Sequence, residues 1–145
     1  MPDLSTTQSD YTQEARTLFA GFAQRHGLIY DADKTAPVEV CWRFPTQAKL
    51  SPPLTLALQN GDELNFGVGG FWSYFFPFPE VAAEFQHILD AWIAGEARVL
   101  TTSPWGRSRQ LREDGRWQTV YRAGQLIPSW RPRPKTVQNR TGPDE

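Results

Sequence analysis

His26, His87 and Cys41 are the chain's whole supply of imidazole and thiol. His87 falls within a helical pattern, with Glu84 three residues before it and Asp90 three after. A Glu-x-x-His pair serves a di-iron site only with a second such pair on a facing helix, and the sequence shows no second pair. A solvated helix face with local ion pairs accounts for the three residues. His26 stands in the last turn of an earlier helical pattern, where a cation is favourable. A nucleophilic Cys41 would need a nearby base and a lowered pKa, and His87 could be that base only if the fold brought the two together. A small buried thiol is the plainer reading. Ser73, Ser103 and Ser108 lack a nucleophile-elbow context. Gly67-Val68-Gly69-Gly70 has the wrong spacing for a phosphate cradle, and no helix opens from it. The expectation is no catalytic residue, no metal ligand and no cofactor, which leans the chain away from enzymes.

Binding chemistry is better represented. Phe71, Trp72, Tyr74, Phe75, Phe76 and Phe78 form a dense aromatic run. Apolar groups occupy both parities of it, so a half-exposed strand is not expected there. Either the run is covered on both faces as core, the commoner case, or part of it lines a cleft; Trp72, Tyr74 and Phe76 are the candidates for that cleft or for a recognition surface. A second group surrounds a hairpin near the C-terminus: Trp105, Arg107, Arg109, Trp117 and Tyr121, with Arg112, Arg116 and Arg122 nearby. Twelve of the fifteen basic residues are arginine, a side chain suited to bidentate contact with carboxylate or phosphate. A sheet face shielded by arginine stems would carry the same residues.

Elements must position these groups, and the hairpins are the most telling. Leu54, Leu56 and Leu58 alternate before Asn60-Gly61, and Leu64, Phe66 and Val68 alternate after it. A two-residue loop would put the two apolar rows on opposite faces. A three-residue loop, Gln59-Asn60-Gly61, pairs Leu56 with Leu64 and Leu54 with Phe66 and puts Gly61 where φ must be positive. By the same logic a Glu113-Asp114-Gly115 loop pairs Leu111 with Trp117, so that Trp117, Thr119 and Tyr121 share a face with Leu111, Arg109 and Arg107.

In chain order, residues 1–9 read as a frayed tail. A helix is expected from about Tyr11 to His26, capped by Asp10, with Ala15, Leu18, Phe19, Phe22 and Ala23 as its apolar stripe. Leu28 to Tyr30 reads as a short strand, and Val38, Val40, Trp42 and Phe44 as a half-buried one. Pro79, Glu80 and Glu84 open a second helix, about Glu80 to Ala94, with Val81, Phe85, Ile88, Leu89 and Trp92 on one side. Arg98 to Leu100 begins another strand. From Pro128 the chain is rich in Pro and Arg, and 131–145 is expected to be an extended or disordered tail.

At 145 residues one domain over 1–130 is expected, burying roughly two-thirds of its unfolded surface. Hydrophobic residues at 39% suffice for a core. No apolar run reaches membrane-spanning length, and the N-terminus has no signal-peptide pattern. One cysteine excludes an internal disulfide and fits a reducing cytoplasm, which also leaves the sequon at Asn139 without a role. Residues 1–96 carry a net charge of −7 and residues 97–145 a net of +6. The expectation is that the two halves neutralise each other side by side. The overall −1 weakens a nucleic-acid reading, whose signature would be a steep salt dependence.

Strands joined by tight turns with two helices on one face make an α+β domain with a mainly antiparallel sheet in two layers. In size and layout the chain is similar to small bacterial α+β proteins, some of which neutralise toxins by direct binding; that likeness is of fold class, which carries no function. The expected function is a non-enzymatic protein-interaction module using aromatic and arginine side chains. The alternative is a small-molecule binder or enzyme with an aromatic-walled pocket near Trp72, taking an apolar ligand.

Overall fold

The computed structural model describes residues 11–68, 71–103, 106–124 and 135–139. It shows an α+β fold with two helices and two antiparallel sheets. Helix α1 (Thr12–His26) leads to a two-residue strand β1 (Asp31–Ala32), then β2 (Val40–Phe44), β3 (Leu54–Gln59), β4 (Glu63–Val68) and β5 (Phe71–Phe75). Helix α2 (Phe78–Ile93) crosses to β6 (Ala97–Ser103), β7 (Gly106–Glu113), β8 (Arg116–Gly124) and β9 (Lys135–Gln138). The first five strands form a meander in order β1-β2-β3-β4-β5, and the rest a sheet in order β8-β7-β6-β9. The expected single sheet is thus two. The chain leaves the first sheet at Pro77, runs the length of α2 and starts a new one.

Alternation sets the layers. Val40, Trp42 and Phe44, the leucines of β3, Leu64, Phe66 and Val68, and Phe71 and Phe75 are all buried on the face that receives both helices. Phe19 of α1 meets Trp42 edge-on at 5.7 Å, and Phe22 meets Phe44 at 5.6 Å. Phe85 of α2 meets Phe75 at 5.5 Å, and Trp92 stands perpendicular to Phe66 at 5.7 Å. Edge-to-face contact of this kind adds about 0.5–1.5 kcal/mol per pair beyond burial. Truncating the fully buried Phe85 to Ala would cost roughly 3–5 kcal/mol.

The helix termini follow their residues. Gly27 takes the left-handed conformation after His26, and the Leu28 amide returns to the Ala23 carbonyl at 2.8 Å, a Schellman closure. The helix begins at Thr12 with Tyr11 as its cap and no side-chain cap bond; the expected cap Asp10 lies outside the described residues. Pro79 sits in the first turn of α2, as expected, although the helix starts at Phe78.

The hairpins depart from expectation in informative ways. At the first, Asn60 and Gly61 both have positive φ, 56° and 78°, and the loop is Asn60-Gly61-Asp62, with Gln59 opposite Glu63, Leu58 opposite Leu64 and Leu56 opposite Phe66. The register is two residues from the expected one, so every side chain keeps its face. At the second, Asp114 and Gly115 have φ of 54° and 76° and form a two-residue turn, putting Leu111 opposite Gln118 and Arg112 opposite Trp117. Trp117 and Thr119 therefore leave the Leu111 face. A bulge at Val120 then restores the parity, so that Tyr121 pairs with Arg109.

Three further expectations are corrected. The strand near Leu28 to Tyr30 is instead β1 at Asp31–Ala32, paired with Trp42 and Arg43. The run Phe71–Phe75 alternates cleanly between buried and exposed and is a half-exposed strand after all, because the small Ser73 takes an inward position. Lys135–Gln138 is not tail but strand β9, paired with β6. Asn139 after it is buried; its amide donates to the Lys49 and Ile93 carbonyls and accepts from the Ser51 amide. That geometry occupies the sequon's asparagine.

Candidate functional site: the outer face of the five-stranded sheet

The face of the first sheet that turns away from the helices carries two cross-strand rows. One runs Asp31, Arg43, Thr55, Gly67, Trp72; the other runs Cys41, Ala57, Asn65, Tyr74. Small residues in the middle strands and large ones on β5 make a shallow trough with an aromatic wall. Trp72 and Tyr74 are 39% and 41% exposed, and Phe76, just beyond the strand, is 64% exposed.

Gly67 explains where Trp72 lies. A Cβ built on Gly67 would stand 2.8 Å from three atoms of the indole ring, so the ring rests flat on the glycine backbone. Close approach of this kind is what an interior strand glycine permits. The ring divides the trough. On one side is a cleft of about 430 Å³ reaching Asp31, Arg43 and Thr55. On the other is a cleft of about 220 Å³ lined by Val38, Cys41, Ala57, Asn65 and Tyr74, among others.

Asn65, in the lining of the smaller cleft, carries an unsatisfied amide nitrogen that is sealed from solvent. Asn65 is only 3% exposed, and its Nδ2 has no acceptor among the described residues. Buried polar atoms are normally paired, and leaving one unpaired costs about 1–3 kcal/mol. Nothing charged lines this cleft. Cys41 borders it with its pKa pushed up, chiefly by burial, so its sulfur is a neutral thiol at physiological pH. The loop that carries Val38 is held by Asp33, which accepts from the Thr35 hydroxyl at 2.8 Å and from Arg43 Nη2 at 2.9 Å.

The second candidate group is dispersed. Arg109 is fully buried and points inward between the layers. Its Nε donates to Ser73 Oγ at 2.6 Å and its guanidinium lies 3.8 Å above the Phe66 ring centroid. No carboxylate partners it, and its Nη1 has no acceptor among the described residues. Burial pushes its pKa down to about 9. It is removed from any solvent-facing surface. Tyr121 is partly buried beside Phe71 and Phe75, with burial raising its pKa. Trp117 lies under Arg98 at 4.0 Å on the other side of its sheet. Trp105 and the Arg107 side chain lie outside the described residues.

The remaining chemical candidates are engaged or far apart. His26 and Arg25 both meet Asp90 Oδ1 at 2.8 Å, tying α1 to α2. His87 faces Glu113 at 3.6 Å. Cys41 lies on the outer face and α2 on the inner one, so the sheet separates Cys41 from His87. Among the described residues, no group of three or more His, Cys, Asp or Glu could hold a metal ion, and no helix is long and apolar enough to cross a membrane.

Sequence reasoning named Trp72, Tyr74 and Phe76; Trp72 and Tyr74 share the outer face, and Phe76 is exposed just beyond the strand. It missed Asn65, whose place between Leu64 and Phe66 reads as an ordinary solvent position, and it missed Gly67 as the seat of Trp72. No known protein family model matches the chain, and no curated protein or solved structure matches it at a significant level.

Proposed function

We propose that the protein is a non-enzymatic binding module that holds a small ligand in the divided trough around Trp72. The observation that carries this reading is the pair of clefts that share the indole of Trp72 as a wall. Concave, mainly apolar sites with a few placed polar groups are the usual form of small-molecule sites. Titration with uncharged single-ring compounds, followed through the Trp72 indole N–H resonance, tests it; the resonance is assigned by its loss in Trp72→Phe. A saturable shift at millimolar concentration or below supports the reading. Flat titrations for every compound contradict it.

A second reading is favoured by Phe76, which is 64% exposed and extends the aromatic row beyond both clefts. Here the occupant is a protein partner that covers Trp72, Tyr74 and Phe76, in the manner of a toxin-neutralising protein. Exposed aromatic side chains are typical interface anchors. Phe76→Asp separates the two readings. It would abolish partner binding while leaving the ring titration at Trp72 unchanged. A cytoplasmic location belongs to both readings, supported by the single free thiol of Cys41.

A further inference from the structure

From the seating of Trp72 we infer the class of ligand that the larger cleft takes: a neutral pyranose ring, lying with its C–H face on the outward side of the indole and turning its hydroxyls to Asp31, Arg43 and Thr55. This rests on the proposed ligand site and names its ligand. The first observation is the ring itself. A Cβ on Gly67 would stand 2.8 Å from three atoms of the six-membered ring of the indole, so one aromatic face lies against the glycine and the other turns away from the sheet. That outward face is bare. Trp42, Trp92 and Trp117 each meet an aromatic ring or a guanidinium, whereas Trp72 meets neither among the described residues. The face of an aromatic ring is its negative side. The C–H groups on one side of a pyranose, polarised by the ring's oxygens, are flat, apolar and slightly positive, and so complement it.

The second observation is a rim that a ligand can reach. Asp31 pairs with Arg43 across β1 and β2 and shares the outer face; it is exposed, and its carboxylate has no partner among the described residues. The Arg43 side chain is 59% exposed and gives its Nε and Nη2 to Asp33, leaving Nη1 free among the described residues. Thr55 adds a hydroxyl between Arg43 and the Trp72 ring. The rim therefore offers an acceptor, a donor and a group that is both.

Charge and size then narrow the class. An anion on Arg43 would face the carboxylate of Asp31, and a cation on Asp31 would face the guanidinium of Arg43. A bare hydrocarbon ring would strip water from both and return nothing. A hydroxyl donates to one and accepts from the other, so a neutral polyol with an apolar side answers the whole rim. The volume of about 430 Å³ falls within the roughly 300–1,000 Å³ of small-molecule sites.

The test uses the full chain and five probes: the methyl β-glycopyranosides of glucose and galactose, sorbitol, benzyl alcohol and choline. Binding is read from the Trp72 indole resonance. At least one glycoside is expected to bind tenfold or more tightly than sorbitol, which has hydroxyls without a ring face, than benzyl alcohol and than choline. Asp31→Ala alters an exposed position and should fold as the wild type does. It should lose tenfold or more affinity for that glycoside and keep its affinity for benzyl alcohol. Equal or tighter binding of benzyl alcohol by the wild type overturns the inference while leaving the ligand site standing. Equal or tighter binding of choline or sorbitol overturns it as well, and so does a glycoside affinity that Asp31→Ala leaves unchanged. No binding by any probe removes both the inference and the site beneath it.

Discussion

Arg109 reaches from β7 into the interior and donates its Nε–H to the hydroxyl of Ser73 on β5 at 2.6 Å. The bond joins the two sheets where they meet. It also explains why the aromatic strand β5 carries a serine at its centre. A buried cation without a carboxylate must draw on weaker partners, here a hydroxyl, the Phe66 carbonyl at 3.3 Å and the Phe66 ring.

The pair yields a mutant cycle. Ser73→Ala leaves Arg109 Nε unpaired and should lower stability by about 1–3 kcal/mol. Arg109→Met keeps an unbranched apolar stem and removes the buried charge, so stability should hold or rise. In the Arg109→Met background Ser73→Ala should cost little. Urea denaturation of the four proteins checks this; equal costs of Ser73→Ala in both backgrounds would show that the two residues are not coupled.

Gly67→Ala addresses the seat of Trp72. The new methyl would stand 2.8 Å from the ring, so the indole must swing away and open the wall between the clefts. Stability should fall by about 1–3 kcal/mol, because rigid ring atoms rather than a flexible tip must give way. Ring binding should fall at least tenfold, with a changed Trp72 indole resonance. An unchanged resonance would mean that the ring does not rest on Gly67.

Acid should loosen the loop beside the smaller cleft. The Thr35 hydroxyl and the Arg43 guanidinium lower the pKa of Asp33 to about 2. An acid depressed in the folded state contributes stability above its unfolded value, ordinarily near 3.9, and loses it as pH falls toward 2. The stability gap between wild type and Asp33→Asn should therefore be constant from pH 5 to 7 and close between pH 4 and 2. A gap that does not vary with pH would deny the Asp33–Thr35–Arg43 contacts.

Asn139 closes the end of β9 onto α2 and the loop before β3 through three bonds. Asn139→Ala should cost about 1–3 kcal/mol for the carbonyls and amide left unpaired. Thermal denaturation checks it; a change within 0.5 kcal/mol, roughly that of an ordinary surface position, would contradict the placement.

The folded elements were largely legible, because helical stripes and strand alternation are local. Ala15, Phe19, Phe22 and Ala23 are buried where the 3.6-residue period puts them, and so are Phe85, Ile88, Leu89 and Trp92. Turn parity was legible at Gly61, where either three-residue loop keeps the leucines inward. At Gly115 it was not, since the bulge at Val120 leaves no mark in the residue pattern. Arg109 shares the apolar parity of Leu111, and that was the available sign of its burial. Its charge pointed the other way, and only the meeting of β7 with β5 decides between them. The site was half legible. Trp72, Tyr74 and Phe76 declare themselves by type, whereas Asn65 and Gly67 matter through neighbours on other strands.

The most direct measurement is where a bound ring sits. A second groove competes for apolar ligands, about 480 Å³ between α1 and α2, lined by Leu18, Phe78, Ala82 and others. Intermolecular NOEs from a bound uncharged ring compound to methyl groups of the protein distinguish the two. The account predicts contacts to Thr55 or Ala57 on the outer sheet face. Contacts to Leu18 and Ala82, with none to Thr55 or Ala57, would contradict it.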